Sequence, residues 1–395
     1  MNRRAQRLDA LLRDCARQVP FYGRCWGPDL AGRVAASGAR CFTELPVLAK
    51  RDLLGVDPTE RLHRAFLDRR LARECTSGST GAPFAMPLDA ASLRRRRRRF
   101  LAALLDSGYR PGRRLLLVSS QPTESIERRA GVMRCLGWHY ADLGQSEDSL
   151  AESYLRARPH VLYGPLGALL HIADRCAGRV ADGCRPAVVI STGEQLMPQH
   201  RARLEARFGA PVADFYGMTE LGLVAWRTAH RRIYRCPGSS LLLEFLPCAD
   251  DPALERLVVT DLRGGALPLV RFDTGDLVRR DRTARDQPIV EFVGRSLDSL
   301  KLPDGRRVSP YRLLTALEGV PGIAEYRVLQ QHDGRVDVLL HCAPAAAGAA
   351  TVARVENAVS VLCPGVEVRV QPEDRPLPVP TGKLRPIRSL VGMAT

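Results

Sequence analysis

Apolar and polar positions follow two rhythms along this chain, and the rhythm changes near residues 241 and 297. The first 75 residues read as short helices broken by Pro and Gly, with Leu45-Pro46-Val47-Leu48-Ala49-Lys50 among the breaks. From residue 74 to about 292, short apolar runs alternate with stretches of helical periodicity. The runs predict buried strands at 115–119, 161–163, 187–191 and 212–215, and the periodic stretches predict helices at 149–158, 166–177 and 198–208. The last helix opens on Pro198 and stops at Gly209, the residue types suited to a first helical turn and a left-handed C-terminal cap. Strands separated by helices of this length predict parallel βαβ units.

From residue 241 the pattern shifts to shorter strands with turns, at 241–245, 257–260 and 289–292. After Gly294-Arg295 comes a compact tail. It is expected to hold helices at 310–317 and 352–362 and strands at 324–329, 336–341 and 366–370. The expected fold class is α/β: a large N-terminal domain of mixed sheets and flanking helices (residues 1–297) and a small α+β C-terminal domain (residues 298–395).

Composition adds limits. A chain of 395 residues is long enough for two cores. It has no apolar stretch near the ~20 residues that span a bilayer, so no membrane partner is expected, and a polar start suggests a cytoplasmic location. The 11 cysteines form no CxxC pair and no zinc-like grouping with His, and read as reduced thiols. The net charge of +16 invites a nucleic-acid reading. Only three of the 59 basic residues are lysines, however (Lys50, Lys301 and Lys383), a bias that points to the coding genome. The six arginines at 94–99 would point all round a helix and read as a solvated face, so a nucleic-acid partner is not expected. Where a compact point charge is needed Arg is a poor substitute, which makes each surviving lysine worth inspecting.

Five motifs carry chemistry. Thr76-Ser77-Gly78-Ser79-Thr80-Gly81 follows an extended segment and precedes a helix. Its hydroxyls and backbone N–H groups suit phosphate oxygens, although such a run also makes ordinary turns. It matches neither a Walker loop nor a dinucleotide fingerprint. Asp214-Phe215-Tyr216-Gly217-Met218-Thr219-Glu220 follows a strand, at the edge where open α/β sheets bind ligands. A carboxylate beside a hydroxyl there suits Mg²⁺ held against a phosphate. Arg271-Phe272-Asp273-Thr274-Gly275-Asp276 offers acids for ribose hydroxyls, and Gly294-Arg295 and Thr381-Gly382-Lys383 complete the series.

In this order the motifs resemble those of the adenylate-forming superfamily of acyl/aryl-CoA synthetases, peptide-synthetase adenylation domains and luciferase. Within it the chain most resembles the short phenylacetate–CoA ligase-like branch, from Val19-Pro20-Phe21-Tyr22 to Lys383. The resemblance implies an enzyme that uses ATP and Mg²⁺ to convert a carboxylic acid, here an aryl or arylacetic acid, to acyl-AMP and pyrophosphate. The acyl group would then pass to CoA, or alternatively to a carrier protein or an amine; an unusual oxyanion in place of the acid is a further variant. Thr76, Ser77, Gly78, Ser79, Thr80 and Gly81 would wrap the β- and γ-phosphates. Ser191, Thr192, Gly193 and Glu194 would lie against adenine. Asp214 would bind the adenine amino group and Tyr216 would stack on the ring, within the motif that includes Phe215 and Gly217. Thr219 would touch the α-phosphate, Glu220 would bind Mg²⁺, and Asp276 with Arg295 would take the ribose. Lys383, on a small mobile domain that rotates between half-reactions, would bridge carboxylate and α-phosphate.

The chain departs from that branch in two places. Tyr234 stands where a metal-binding His is expected, with no Cys before it, so no structural metal is expected; His230 and Cys236 are the residues left for a displaced one. The hinge reads Leu297-Asp298 where two acids are commoner. Trp138, His139, Tyr140, Tyr163, Gly164 and Met218 are the candidate acid-pocket residues, with core packing as the alternative for the rings. A basic, non-enzymatic binding protein with a decayed site is the opposing reading, which the intact Glu220, Asp276 and Lys383 disfavour.

Overall fold

A computed structural model describes residues 3–75, 84–119, 137–177, 184–284, 288–342, 348–375, 377 and 385–392. Its centre is a six-stranded sheet in the order Trp138–Asp142, Leu115–Ser119, Val161–Pro165, Val188–Thr192, Val212–Met218, Gly222–Arg227. The first five strands are parallel and the sixth is the antiparallel partner of the fifth. Leu115–Ser119 and Val188–Thr192 are buried over nearly their whole length, because helices or aromatic side chains cover both faces. Helices Glu147–Ala157, Leu166–Arg175 and Pro198–Phe208 supply one covering layer. Ser146 caps the first through the Ser149 N–H, and Gly209 (φ 60°) ends the third. Helix Ala90–Asp106 closes the other face, packing Phe100, Ala103 and Leu104 with Trp138, Tyr163 and Phe215.

A second sheet, antiparallel, runs Ile289–Arg295, Phe272–Arg280, Glu255–Asp261, Leu241–Pro247. Helices Arg3–Gln18 and Pro20–Ser37 share a core with it. The first, at 16 residues, is longer than the expected short pieces, whereas the second is two helical pieces meeting at a non-helical break at Gly27 (φ 74°), just before Pro28. The buried Tyr22 hydroxyl joins them to the sheet, donating to Pro268 O and accepting from Val270 N, each at 2.9 Å. The tail sheet is ordered Val368–Glu373, Val336–Cys342, Ile323–Gln330, Ile387–Ser389. Helices Pro310–Glu318 and Ala349–Leu362 pack on it, and its core reaches Met197, Leu277 and Val293 of the larger body.

The segment around residues 76–81 differs from expectation. It is flanked by two antiparallel strands, Ala72–Cys75 and Ala85–Leu88, and the helix begins only at Ala90. The 76–83 stretch itself lies outside the described residues. No helix among the described residues is long and apolar enough to cross a membrane.

Candidate active site

Strand Val212–Met218 carries the second motif from the core into a cleft of about 1490 Å³. Asp214 and Phe215 are buried, while Tyr216, Gly217 and Met218 are half-buried. The register shifts between Tyr216 and Gly217, and a Cβ on Gly217 would stand only 3.0 Å from Gly222 O. Gly222 has φ 69°, which closes the turn Thr219-Glu220-Leu221 back onto strand Gly222–Arg227.

Asp214 is 8% exposed. Its Oδ2 accepts from the Tyr234 hydroxyl and lies 3.9 Å from the Arg227 guanidinium, which also sits over the Tyr234 ring. Burial pushes the Asp214 carboxyl up, and the Tyr234 hydrogen bond and Arg227 oppose that shift. Tyr234 therefore serves the carboxylate. Burial pushes the Cys236 thiol up to about 11, and no group of three or more His, Cys, Asp or Glu placed to hold a metal occurs among the described residues.

Tyr216 donates its hydroxyl to Asp276 Oδ2 at 2.6 Å, and its ring stacks on Phe292 with centroids 3.7 Å apart. Asp276 and Arg295 face each other across neighbouring strands, with Nε 3.5 Å from Oδ1. Two sequence motifs some twenty residues apart thus become one acid–base pair. Thr192 donates to Phe215 O at 2.9 Å. Glu194 accepts from Gly167 N at 2.7 Å, at the start of helix Leu166–Arg175, where a carboxylate is favoured. Ser191 is fully buried, whereas Gly193 (φ 76°) and Glu194 border the cleft.

Glu220 is 4% exposed and forms an ion pair with Lys50 at 3.1 Å. Lys50 was missed as a site residue. An extended stretch places it there: Leu48 exchanges backbone hydrogen bonds of 2.9 Å with Arg271 and Asp273, and Lys50 then opens helix Lys50–Leu54. Its rarity as one of three lysines was the available signal.

The arginine run corrects its expected role as a solvated face. Arg94, Arg97 and Arg98 are exposed, but Arg95, Arg96 and Arg99 turn inward. Arg96 donates to Thr219 O (2.7 Å), Glu220 O (2.6 Å) and Glu74 Oε2 (2.6 Å), and Arg99 donates to Leu221 O (2.7 Å).

Of the candidate pocket residues, Met218 lines the cleft. Trp138 and Tyr163 pack in the aromatic core, Trp138 donating to the Tyr109 hydroxyl at 2.7 Å. Tyr140 packs against that core, His139 is exposed, and Gly164 sits where a Cβ would come within 2.9 Å of Val118. Thr76, Ser77, Gly78, Ser79, Thr80, Gly81 and Lys383 lie outside the described residues. Near the last, Arg385 reaches Asp298 at 3.3 Å on the cleft wall.

A parallel sheet, an antiparallel sheet and an α+β tail around one cleft make the fold of the adenylate-forming ligases. Among solved structures, the chain is similar to 2-hydroxyisobutyryl-CoA ligase in the postadenylation state with an acyl-AMP bound, at TM-score 0.74 and 19% identity, over 98% of this chain and 88% of that one. Against the same ligase with 2-HIB-AMP and CoA in the thioesterification state, the TM-score is 0.59 at 20% identity, over 99% and 89%. ATP-bound MatB from Rhodopseudomonas palustris gives 0.53 at 18% identity, over 77% of this chain and 64% of that one. No family model matches the sequence. No curated protein matches it significantly.

Proposed function

We propose that the chain is an ATP-dependent ligase that activates a carboxylic acid as acyl-AMP, releases pyrophosphate and passes the acyl group to a thiol, with CoA as the first choice. The observation that carries this reading is the convergence on one cleft of Asp214, Tyr216, Thr219, Glu220, Asp276 and Arg295 in this fold. Acyl-AMP and CoA are bound by the hydroxyisobutyryl ligase structures, and ATP by MatB. The motif series supports placement in the phenylacetate–CoA ligase-like branch.

In this reading Asp214 accepts a hydrogen bond from the adenine amino group and Tyr216 supports the ring. The Asp276–Arg295 pair holds the ribose hydroxyls. Thr219 meets the α-phosphate, residues 76–81 hold the departing pyrophosphate, and Lys383 bridges the carboxylate to the α-phosphate. Attack of one anion on another makes charge repulsion the main barrier, so the cations Lys50 and Lys383 act where charge accumulates. The donor set fits Mg²⁺ once the Lys50 ammonium, 3.1 Å from Glu220, turns to the phosphates: Glu220 is a buried carboxylate at the cleft, next to Thr219, and this hard cation binds through one or two carboxylates plus phosphate oxygens. When bound, Mg²⁺ would neutralise phosphate charge.

Two domains, 1–297 and 298–395, with a hinge at Leu297-Asp298, complete the proposal. The drop in TM-score from 0.74 to 0.59 between two states of one ligase supports a tail that changes orientation between steps. The test is acid-dependent pyrophosphate release across aryl, arylacetic, amino and fatty acids, repeated with CoA, a carrier protein and an amine. An aryl or arylacetic acid with CoA is expected to give the highest rate. No release with any acid overturns the reading, and transfer only to a carrier or an amine replaces CoA as the acceptor.

A further inference from the structure

The inward half of the arginine run is not explained by helix stability or solubility. We propose that Arg96, backed by Arg99, is a positioning residue that clamps the Thr219-Glu220-Leu221 turn and ties it to the strand leading into residues 76–81. The guanidinium of Arg96 makes three short contacts on three different groups: two successive carbonyls of the turn and the carboxylate of Glu74. Glu74 lies in strand Ala72–Cys75, immediately before the segment assigned to phosphate. Arg99, one helical turn on, takes the next carbonyl of the same turn, that of Leu221. One rigid fork therefore sets the spacing between strand Ala72–Cys75 and the turn at residues 219–221.

The surroundings fit a clamp. Burial lowers the pKa of both guanidinium groups, Arg99 to about 10; Glu74 and Asp261 oppose the shift at Arg96, and Asp261 opposes it at Arg99. A guanidinium keeps its charge near neutral pH. Gly222 packs against the Arg96 stem, a Cβ there falling 3.2 Å from its methylenes, so the turn and the side chain are fitted to each other. A planar five-donor fork satisfies two carbonyls and a carboxylate at once, whereas a lysine ammonium is a single compact point. The exposed Arg94, Arg97 and Arg98 on the same helix provide internal controls.

The catalytic consequence rests on the ligase reading, and the geometry is tested separately from it. In Arg96→Lys, amide exchange at residues 219–221 should quicken about tenfold or more through local opening. The same variant should lose about 100-fold in kcat for pyrophosphate release, as expected for a misplacement of about 1 Å, with KM for the acid little changed. The Mg²⁺ concentration for half-maximal rate should rise. Arg97→Lys should match wild type in all of these. Free guanidinium should restore part of the rate of Arg96→Ala; if that variant does not fold, Glu74→Gln replaces it, with a smaller change of the same sign in exchange and in Mg²⁺ dependence. Wild-type exchange at 219–221 in Arg96→Lys overturns the clamp, and altered exchange with wild-type kcat and Mg²⁺ dependence overturns its positioning role. If the wild type releases no pyrophosphate with any acid, the ligase reading and the catalytic role fall together, and exchange alone decides the clamp.

Discussion

In the proposed reading Asp214 binds the adenine amino group, and an ionised carboxylate accepts such a hydrogen bond more strongly than a protonated one. Burial raises the pKa of Asp214 and so opposes the ionised form. The Tyr234 hydroxyl and the Arg227 guanidinium lower it again. Tyr234→Phe removes one lowering contribution, so the Asp214 pKa should climb further. The acid limb of kcat/KM for ATP should then move to higher pH, and KM for ATP should rise about tenfold, the cost of one charge-assisted hydrogen bond. An unchanged acid limb would separate Tyr234 from Asp214. The sequence marked Asp214 by its motif, but it could not show this tyrosine holding it. They stand twenty positions apart in the chain, and only the hairpin and the second sheet bring them together.

At the scale of elements, legibility followed burial. Strands covered on both faces read as unbroken apolar runs, and helix Pro198–Phe208 carried its punctuation in full. Strand Phe272–Arg280 went unread as a strand because its polar residues serve the cleft and its ion pairs. The inward arginines were misread because helical spacing says which residues share a face, not what that face meets. Glycines within the sheet carry a similar tertiary meaning. A Cβ at position 164 would approach Val118 Cβ to 2.9 Å, closer than real Cβ contacts allow. Gly164→Ala should therefore cost about 1–3 kcal/mol by overpacking. Urea unfolding measures it, and an unchanged midpoint would mean that the neighbouring strand gives way.

The whole molecule depends on how the tail docks. Helix Pro198–Phe208 meets the tail sheet through Arg203, which binds Asp174 at 2.6 Å and also the carboxylate of Glu325. Beside this junction His200 is 8% exposed and its Nδ1 is buried without a partner. Burial, with Arg203 and Arg327 nearby, pushes its pKa down from 6.5 to about 4. The unfolded chain therefore takes up the proton first as pH falls. Stability from this residue is full above pH 6.5 and is lost on descending to about 4, by roughly 3 kcal/mol at most. His200→Gln should flatten unfolding free energy against pH over that window; an unchanged slope would clear His200. The proposed rotation must break the Arg203–Glu325 contact and carry Lys383 away from the α-phosphate. Lys383→Ala should then slow adenylation by about three orders of magnitude or more, yet leave transfer from preformed acyl-adenylate largely intact. Equal loss in both half-reactions would remove the moving lysine.

The sequence by itself determined the fold class and the order of the strands buried on both faces with the helices between them, because apolar periodicity is a local property of the chain. Tertiary structure alone decided that Lys50 faces Glu220, that Tyr234 serves Asp214, that Trp138 and Tyr163 belong to the core and that Arg96 and Arg99 reach the carbonyls of the turn at 219–221. Those contacts join residues from twenty to more than a hundred positions apart. Which distant partner a side chain meets is settled by packing of whole elements, and no local pattern encodes it.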